Sequence, residues 1–338
     1  MRKKVHGVEI IARIVYNSGR NRKGPMIMKY GFGVDVGGTT VKIGLFEENG
    51  TITDRCEIPT RTENGGEKIL PDIAAAIQAL LKKNSIEKSA VLGIGIGVPG
   101  PVNDEGLVNR CVNLNWGVFN LHEALSALTG FSVKAGNDAN CAALGEYWMG
   151  GGMGTKSTLF VTLGTGIGGG VIIDGKILGG AHGVGGEIGH ITVTAPDKVP
   201  CTCGKCGCVE QYASANGIVR ITKERLKSSA APTVLREKKK ITCADVFSAA
   251  KQGDGFAVDT LEQVFDYLGE ALASACCMVD PERVVLGGGV SKAGDYLLQG
   301  VKTHFNRYMF HACKDTQFSL AKLGNDAGMY GAFRLILT

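Results

Sequence analysis

Between His182 and Glu210 the chain gathers Glu187, His190, Cys201, Cys203, Cys206, Cys208 and Glu210, so four of its eleven cysteines fall in one short stretch. Gly204 and Gly207 separate the sulfurs and suit a tight knuckle that turns several of them inward. His190 lies eleven residues before Cys201, close enough to add a nitrogen. Three thiolates and one imidazole are the donors of a closed, tetrahedral structural zinc site. The other reading is a solvent-facing cluster of free thiols, which would be open to oxidation.

A second chemistry is written in glycine and threonine. Asp35, Gly37, Gly38, Thr39 and Thr40 sit between two β-like runs in Gly31–Phe46, with Lys42 just beyond. Two glycines let backbone approach a phosphate, amides and hydroxyls donate to it, and an adjacent acid can hold Mg2+ through water. The pattern is neither GxxxxGK[ST] nor GxGxxG, and a plain glycine-rich hairpin fits it as well. Leu159–Ile173 repeats the theme with Thr165 and Gly166, and Val284–Val290 adds a third turn at Gly287, Gly288 and Gly289. Two such units about 125 residues apart suggest two related α/β domains holding one polyphosphate from both sides.

Asp138 follows the strand-like Phe131–Ala135 and precedes an apolar helix at Ala142–Trp148. Loops at the carboxyl ends of parallel strands line ligand crevices, which suits a catalytic acid. An Asp helix cap accounts for the residue equally well. The loop from Pro99 to Trp116 carries Asn103, Asn109, Asn113 and Asn115, residues that suit the hydroxyls of a polyol or simply an exposed loop.

The elements that must position these groups read as α/β. Val91–Val98 is a wholly apolar strand, central in a sheet covered on both faces. Ile69–Lys82, Phe119–Leu128, Gln211–Ser228, Phe256–Met278 and Ala327–Leu337 carry helical patterns, as does a helix from near Ser291. Thr242–Asp245 reads as a capping box opening a helix to Lys251. Gly324–Asp326 is a hinge returning the chain to the first domain. The expected division is a basic extension at 1–29, a small α/β domain at 30–138 completed by 324–338, and a large α/β domain at 139–323 bearing the knuckle at 190–208.

Composition narrows the class. The 338 residues suffice for two domains, and 44% hydrophobic with 20% charged content is ordinary for a soluble protein. Glycine, at 50 residues, is about twice as frequent as usual. Its bursts inside β-like runs read as backbone bent closely around ligands. The formal charge of +5 misleads: residues 1–29 hold eight Lys or Arg against Glu9, net +7, and the other 29 basic and 31 acidic residues give −2. A near-neutral body argues against nucleic-acid binding. Without a secretory or membrane-spanning run, a reducing cytoplasm is expected, and the scattered cysteines read as small buried hydrophobes.

Together these features resemble the ROK family of sugar kinases, within the two-domain, actin-like and hexokinase-type fold class with its interdomain cleft. DxGGTxxK stands as Asp35–Lys42, LGTGIGGG as Leu163–Gly170, GVGGEIGH as Gly183–His190 and CxCGxxGCxE as Cys201–Glu210. Within the family, the Asn137–Asn140 quartet and the layout are most like bacterial ATP-dependent glucokinases. The resemblance implies Asp138 as catalytic base, with Asn113, Asn137, Glu187, His190 and Glu210 on the sugar. It implies zinc on His190, Cys201, Cys203 and Cys208, with Cys206 at a variable position. Asp35, Gly37–Thr40, Lys42, Thr165 and Gly166 would face ATP and Mg2+, and Gly287–Gly289 the adenosine. It further implies a homodimer without membrane or nucleic-acid partners. The rival readings are a kinase for N-acetylmannosamine, N-acetylglucosamine or fructose, and more remotely a sugar-responsive repressor.

Overall fold

Alternating apolar residues make Tyr30–Val36 (β1) and Thr40–Glu47 (β2) a hairpin, as expected, and Ile52–Pro59 (β3) extends it. The computed structural model describes residues 28–338. The amphipathic piece Val8–Val15 and nearly all of the basic extension lie outside the described residues. With Val91–Val98 (β4) and Val133–Asn137 (β5), these strands form a sheet of order β3-β2-β1-β4-β5, antiparallel on the hairpin side and parallel beyond β1.

The second half repeats that plan. Ser157–Leu163 (β6), Ile167–Ile173 (β7), Lys176–Ile177 (β8), Arg283–Gly287 (β9) and Gln317–Leu320 (β10) order as β8-β7-β6-β9-β10, with the same sequence of antiparallel and parallel pairs. The internal echo in the sequence is therefore an echo of topology.

Helices Ile69–Lys83 (α1) and Leu121–Thr129 (α2) cover one face of the first sheet. Asp138–Met149 (α3) lies on the second sheet, while Ala215–Ser228 (α4), Cys243–Lys251 (α5), Gly255–Val279 (α6) and Asp295–Tyr308 (α7) build the larger core around Val161, Leu268 and Val284. Ala327–Leu335 (α8) returns to the first sheet, and α3 crosses it. No helix among the described residues is long and apolar enough to cross a membrane.

Several boundaries differ from the sequence expectation. The helix expected at Ala142 begins at Asp138, because Asn137 rather than Asp138 caps it, accepting from the Ala139 and Asn140 amides at 3.0 and 3.1 Å. The helix expected across Gln211–Ser228 breaks at Ser214, whose hydroxyl caps the Gly217 amide of α4. The helix expected near Ser291 starts at Asp295, since Gly294 at φ +70° stops the preceding 3-10 turn. The capping box of α5 is present on Thr242 and Asp245.

Glycine also does something the sequence did not suggest. Gly44, Gly33 and Gly95 lie side by side across β2, β1 and β4, forming a strip without side chains. The α8 backbone fills it: a Cβ on Gly33 would stand 2.1 Å from the Met329 carbonyl, and one on Gly95 1.7 Å from that of Ala332. Where α3 meets α8, Gly145 and Gly331 leave the same absence of room, 2.2 Å from the Ala327 carbonyl and 1.6 Å from that of Cys141. Many glycines thus serve close packing of helix on sheet and helix on helix rather than ligand contact.

Overpacking of a tight contact commonly costs about 1–3 kcal/mol. Gly331→Ala is expected at the top of that range in urea unfolding, because its neighbour is backbone and cannot rotate away. Gly117→Ala, which meets nothing within 4 Å, is expected within about 0.5 kcal/mol of the parent. Equal stability of the two variants would refute the close-packing account.

Candidate active site

The first glycine turn is closed by the Gly37 amide donating to the Thr40 carbonyl at 3.0 Å. Thr60 braces it from behind, its hydroxyl donating to the Gly37 carbonyl and its amide to that of Thr39. Gly38 and Thr39 are left exposed, and among the described residues their amides have no partner. In the second turn the Gly164 amide donates to the Gly166 carbonyl, and Thr165 projects at the tip. Two loops with free donors therefore end two equivalent hairpins, an arrangement suited to phosphate oxygens.

Beside the second turn opens a cavity of about 660 Å3, lined by Gly164, Thr165, Ala215, Phe247, Gly289 and Val290 among others. Its mainly apolar wall suits a planar base. Of the third glycine turn only Gly289 reaches this cavity. Gly287 packs against Phe160, and Gly288 at φ +81° lies on the Leu163 backbone, so both shape the turn. Ala215 and Phe247 were not singled out in sequence: the capping box located α5, but no signal showed which face looks inward.

Asp138 opens α3 half-buried, its Oδ1 accepting the Ala139 amide at 2.8 Å. Burial pushes its carboxyl above the ordinary range; hydrogen bonds from Ala139 and its own amide oppose this, and the charge of Glu187 adds to it. Asp35 stands opposite Lys42 on β2 and beside Gly97 on β4, and a Cβ on Gly328 would touch its carboxylate at 2.6 Å. Burial raises Asp35 to about 6, with Lys42 pulling it down and Asp138 pushing it up. Asp35, Asp138 and Glu187 thus share one electrostatic neighbourhood. Such converging carboxylates are matched to hydroxyl donors or a cation.

The other expected residues divide. Asn137 spends its carbonyl on the α3 cap, and its Nδ2 donates to Gly100 at 3.3 Å. Asn113 is exposed on a short turn, whereas Asn103 accepts from the Leu107 amide within its own loop and Asn115 donates to the distant Thr62 carbonyl. Glu210 turns its Oε2 to the Ile167 amide at 2.9 Å and lies under Gly166, joining the knuckle to the second glycine turn. Lys42 donates to the Asn325 carbonyl at 2.8 Å and so ties β2 to the segment before α8.

The knuckle is folded by Gly204 and Gly207, both in the left-handed region at φ +89° and +81°. His190, Cys201, Cys203 and Cys208 bring one donor atom each within 4.8 Å of one another. His190 Nδ1 lies 3.7 Å from Cys201 Sγ, and Cys203 Sγ lies 3.6 Å from Cys208 Sγ. A tetrahedron of bonds near 2.3 Å has edges of about 3.8 Å, so the residues fit zinc. Cys206 is exposed and outside this set. Four protein donors leave no open position, so zinc here would be structural, and it would fix the His190 ring and the Glu210 segment.

Two measurements check these assignments. Cys203→Ser is expected to abolish stoichiometric zinc in the purified protein by metal analysis, while Cys206→Ser retains it; zinc in neither the variants nor the parent would defeat the site. For Asp35, an acid raised above its unfolded value of 3.8 is destabilising when ionised, so the cost is full above about pH 6 and gone below about pH 4. Asp35→Asn is therefore expected to raise Tm by about 2–4 °C at pH 8, the gain vanishing towards pH 4. A lower Tm at pH 8 would contradict the buried-charge account.

Comparison with known proteins agrees with the geometry. A glucokinase of Halalkalibacterium halodurans is 45% identical over 309 residues, covering 90% of this chain and 94% of that protein. A glucokinase of Thermotoga maritima is 37% identical over 310 residues, covering 90% and 96%. The crystal structure of a ROK family glucokinase from Streptomyces griseus, in complex with glucose and AMPPNP, superposes with a TM-score of 0.70 at 34% identity, covering 90% of this chain and 98% of that one. The family model for ROK matches residues 31–338, and the chain belongs to the ROK family.

Proposed function

We propose that the protein phosphorylates glucose from ATP, giving glucose 6-phosphate, with Asp138 as the general base. The observation that carries the mechanism is the position of Asp138: a half-buried carboxylate on the α3 N-terminus, near Asp35 at one phosphate turn and Glu187 on the zinc-knuckle side. Residues 30–138 with 324–338 form the small domain in this reading, and 139–323 the large one.

Asp138 orients the attacking sugar hydroxyl and accepts its proton as the oxygen bonds the γ-phosphorus and the bond to the ADP oxygen breaks. Its raised affinity for protons makes it a better base than an exposed carboxylate. Free amides at Gly38, Thr39 and Thr165 donate to phosphate oxygens, where charge accumulates. Asp35 is the residue placed to hold Mg2+ through water, and the ion would neutralise phosphoryl charge when bound. Glu187, Glu210 and the second nitrogen of His190 supply the acceptors and donor for sugar hydroxyls, with Asn113 entering from the exposed loop. His190, Cys201, Cys203 and Cys208 would hold zinc, which would serve only to fix the wall that carries His190 and Glu210.

Asp138→Asn is expected to lower turnover at least ~10^2-fold, the usual range for a lost general base, with the fold retained by circular dichroism. The parent enzyme is to be assayed beside it with ATP and glucose, fructose, N-acetylglucosamine or N-acetylmannosamine. Glucose should give the highest kcat/KM. Equal or better turnover of an N-acetyl sugar would overturn the glucose assignment, and near-normal turnover by the variant would remove Asp138 from the base role.

A further inference from the structure

Glu146 is wholly buried, on the last turns of the same helix that Asp138 begins. Among the described residues no cation pairs with it. Its charge is met by backbone alone: Oε2 accepts from the Gly151 amide at 2.8 Å and the Lys322 amide at 2.9 Å, and Oε1 accepts from Leu323 at 2.8 Å and Lys322 at 3.1 Å. A buried ion left without such partners would be strongly destabilising, so the arrangement has to persist as a unit. Gly150 makes room for it, since a Cβ there would stand 1.9 Å from Oε2.

The strap that Glu146 grips, Lys322–Asp326, leads directly into α8. Its far end is held from the first sheet: Lys42, two residues along β2 from the phosphate turn, donates to the Asn325 carbonyl, and Arg55 on β3 pairs with Asp326 at 3.0 Å. One short segment thus joins the helix bearing the base, the strand bearing the phosphate turn and the helix lying against Asp35. Beyond the strap, α3 and α8 meet at the Gly145 and Gly331 backbone contacts already described and through Trp148 of α3, which packs against Tyr330 and Phe333 and lies beneath the Arg334 guanidinium.

We infer that Glu146 is a positioning residue: it pins the strap to the end of α3 and so fixes α8, and through Lys42 the strand bearing the phosphate turn, against the helix that begins at Asp138. The inference rests on the kinase reading above. Glu146 touches neither substrate; it acts by keeping the base and the phosphate turn in register.

The test uses Glu146→Gln, which keeps size but turns an amide donor towards backbone donors. It is expected to lower kcat for glucose about tenfold with KM for glucose and ATP within about threefold, measured well below Tm. Phe305→Leu, a core change remote from the strap, supplies a destabilised control whose kcat per folded molecule should match the parent. Arg55→Met, breaking only the exposed end of the strap, should keep kcat within about twofold. Hydrogen exchange on the unmodified protein makes the test independent of variant folding: the Gly151, Lys322 and Leu323 amides should be protected equally with and without glucose, while Gly183–Glu187 changes. Unaltered kcat in Glu146→Gln, or strap amides exchanging like surface loops, would overturn the positioning role. A parent protein that phosphorylates no sugar would instead overturn the kinase reading.

Discussion

Much in this molecule depends on two helices whose backbones come into direct contact where they cross. At the α3–α8 crossing, Gly145 and Gly331 bring backbone against backbone, and each helix is seated on its own sheet through further glycines. Close packing of this kind fixes the spacing of the helices, and Trp148 of α3, packed against Tyr330 and Phe333 beneath Arg334, adds side-chain contact to the same crossing. The two halves of the fold are held together there. Aromatic stacking of Phe46 on Phe333, with ring centroids 4.7 Å apart, secures α8 to the first sheet so that they move as one body.

The active groups are arranged around that crossing. Asp138, the proposed base, begins α3, and Asp35 of the first glycine turn lies against α8, so both carboxylates are set by the two helices that cross. The knuckle reaches the same centre by a different route. Its four donors converge beside residues that pack into the large core, and Glu210 joins that segment to the second glycine turn through the Ile167 amide. The candidate metal site and the second glycine turn are therefore linked by one carboxylate.

Much of this was legible in residue order. The knuckle could be read because metal ligation demands particular atoms at close range, and only His and Cys supply them. The strand–turn–strand repeat could be read because its signature is local, and the topology of both sheets follows it. Asp138 was legible as a candidate, but its rival reading as the helix cap fails: the cap belongs to Asn137, a choice decided by one residue of helix register. Lys42 shows the reverse case. Its motif position points to phosphate, yet its ammonium is held by the Asn325 carbonyl, 283 positions along the chain.

The sequence by itself determined the donor types, the two glycine turns and the paired α/β plan, since each is encoded within a few consecutive residues. Only the tertiary structure decided which glycines lie open at turns and which admit a helix, because a missing side chain looks the same in either role until its neighbour is known. It alone showed Glu146 buried among backbone amides from Gly151, Lys322 and Leu323. A carboxylate near a helix end reads as surface in any sequence; burial against amides some 176 residues away is a property of the assembled fold.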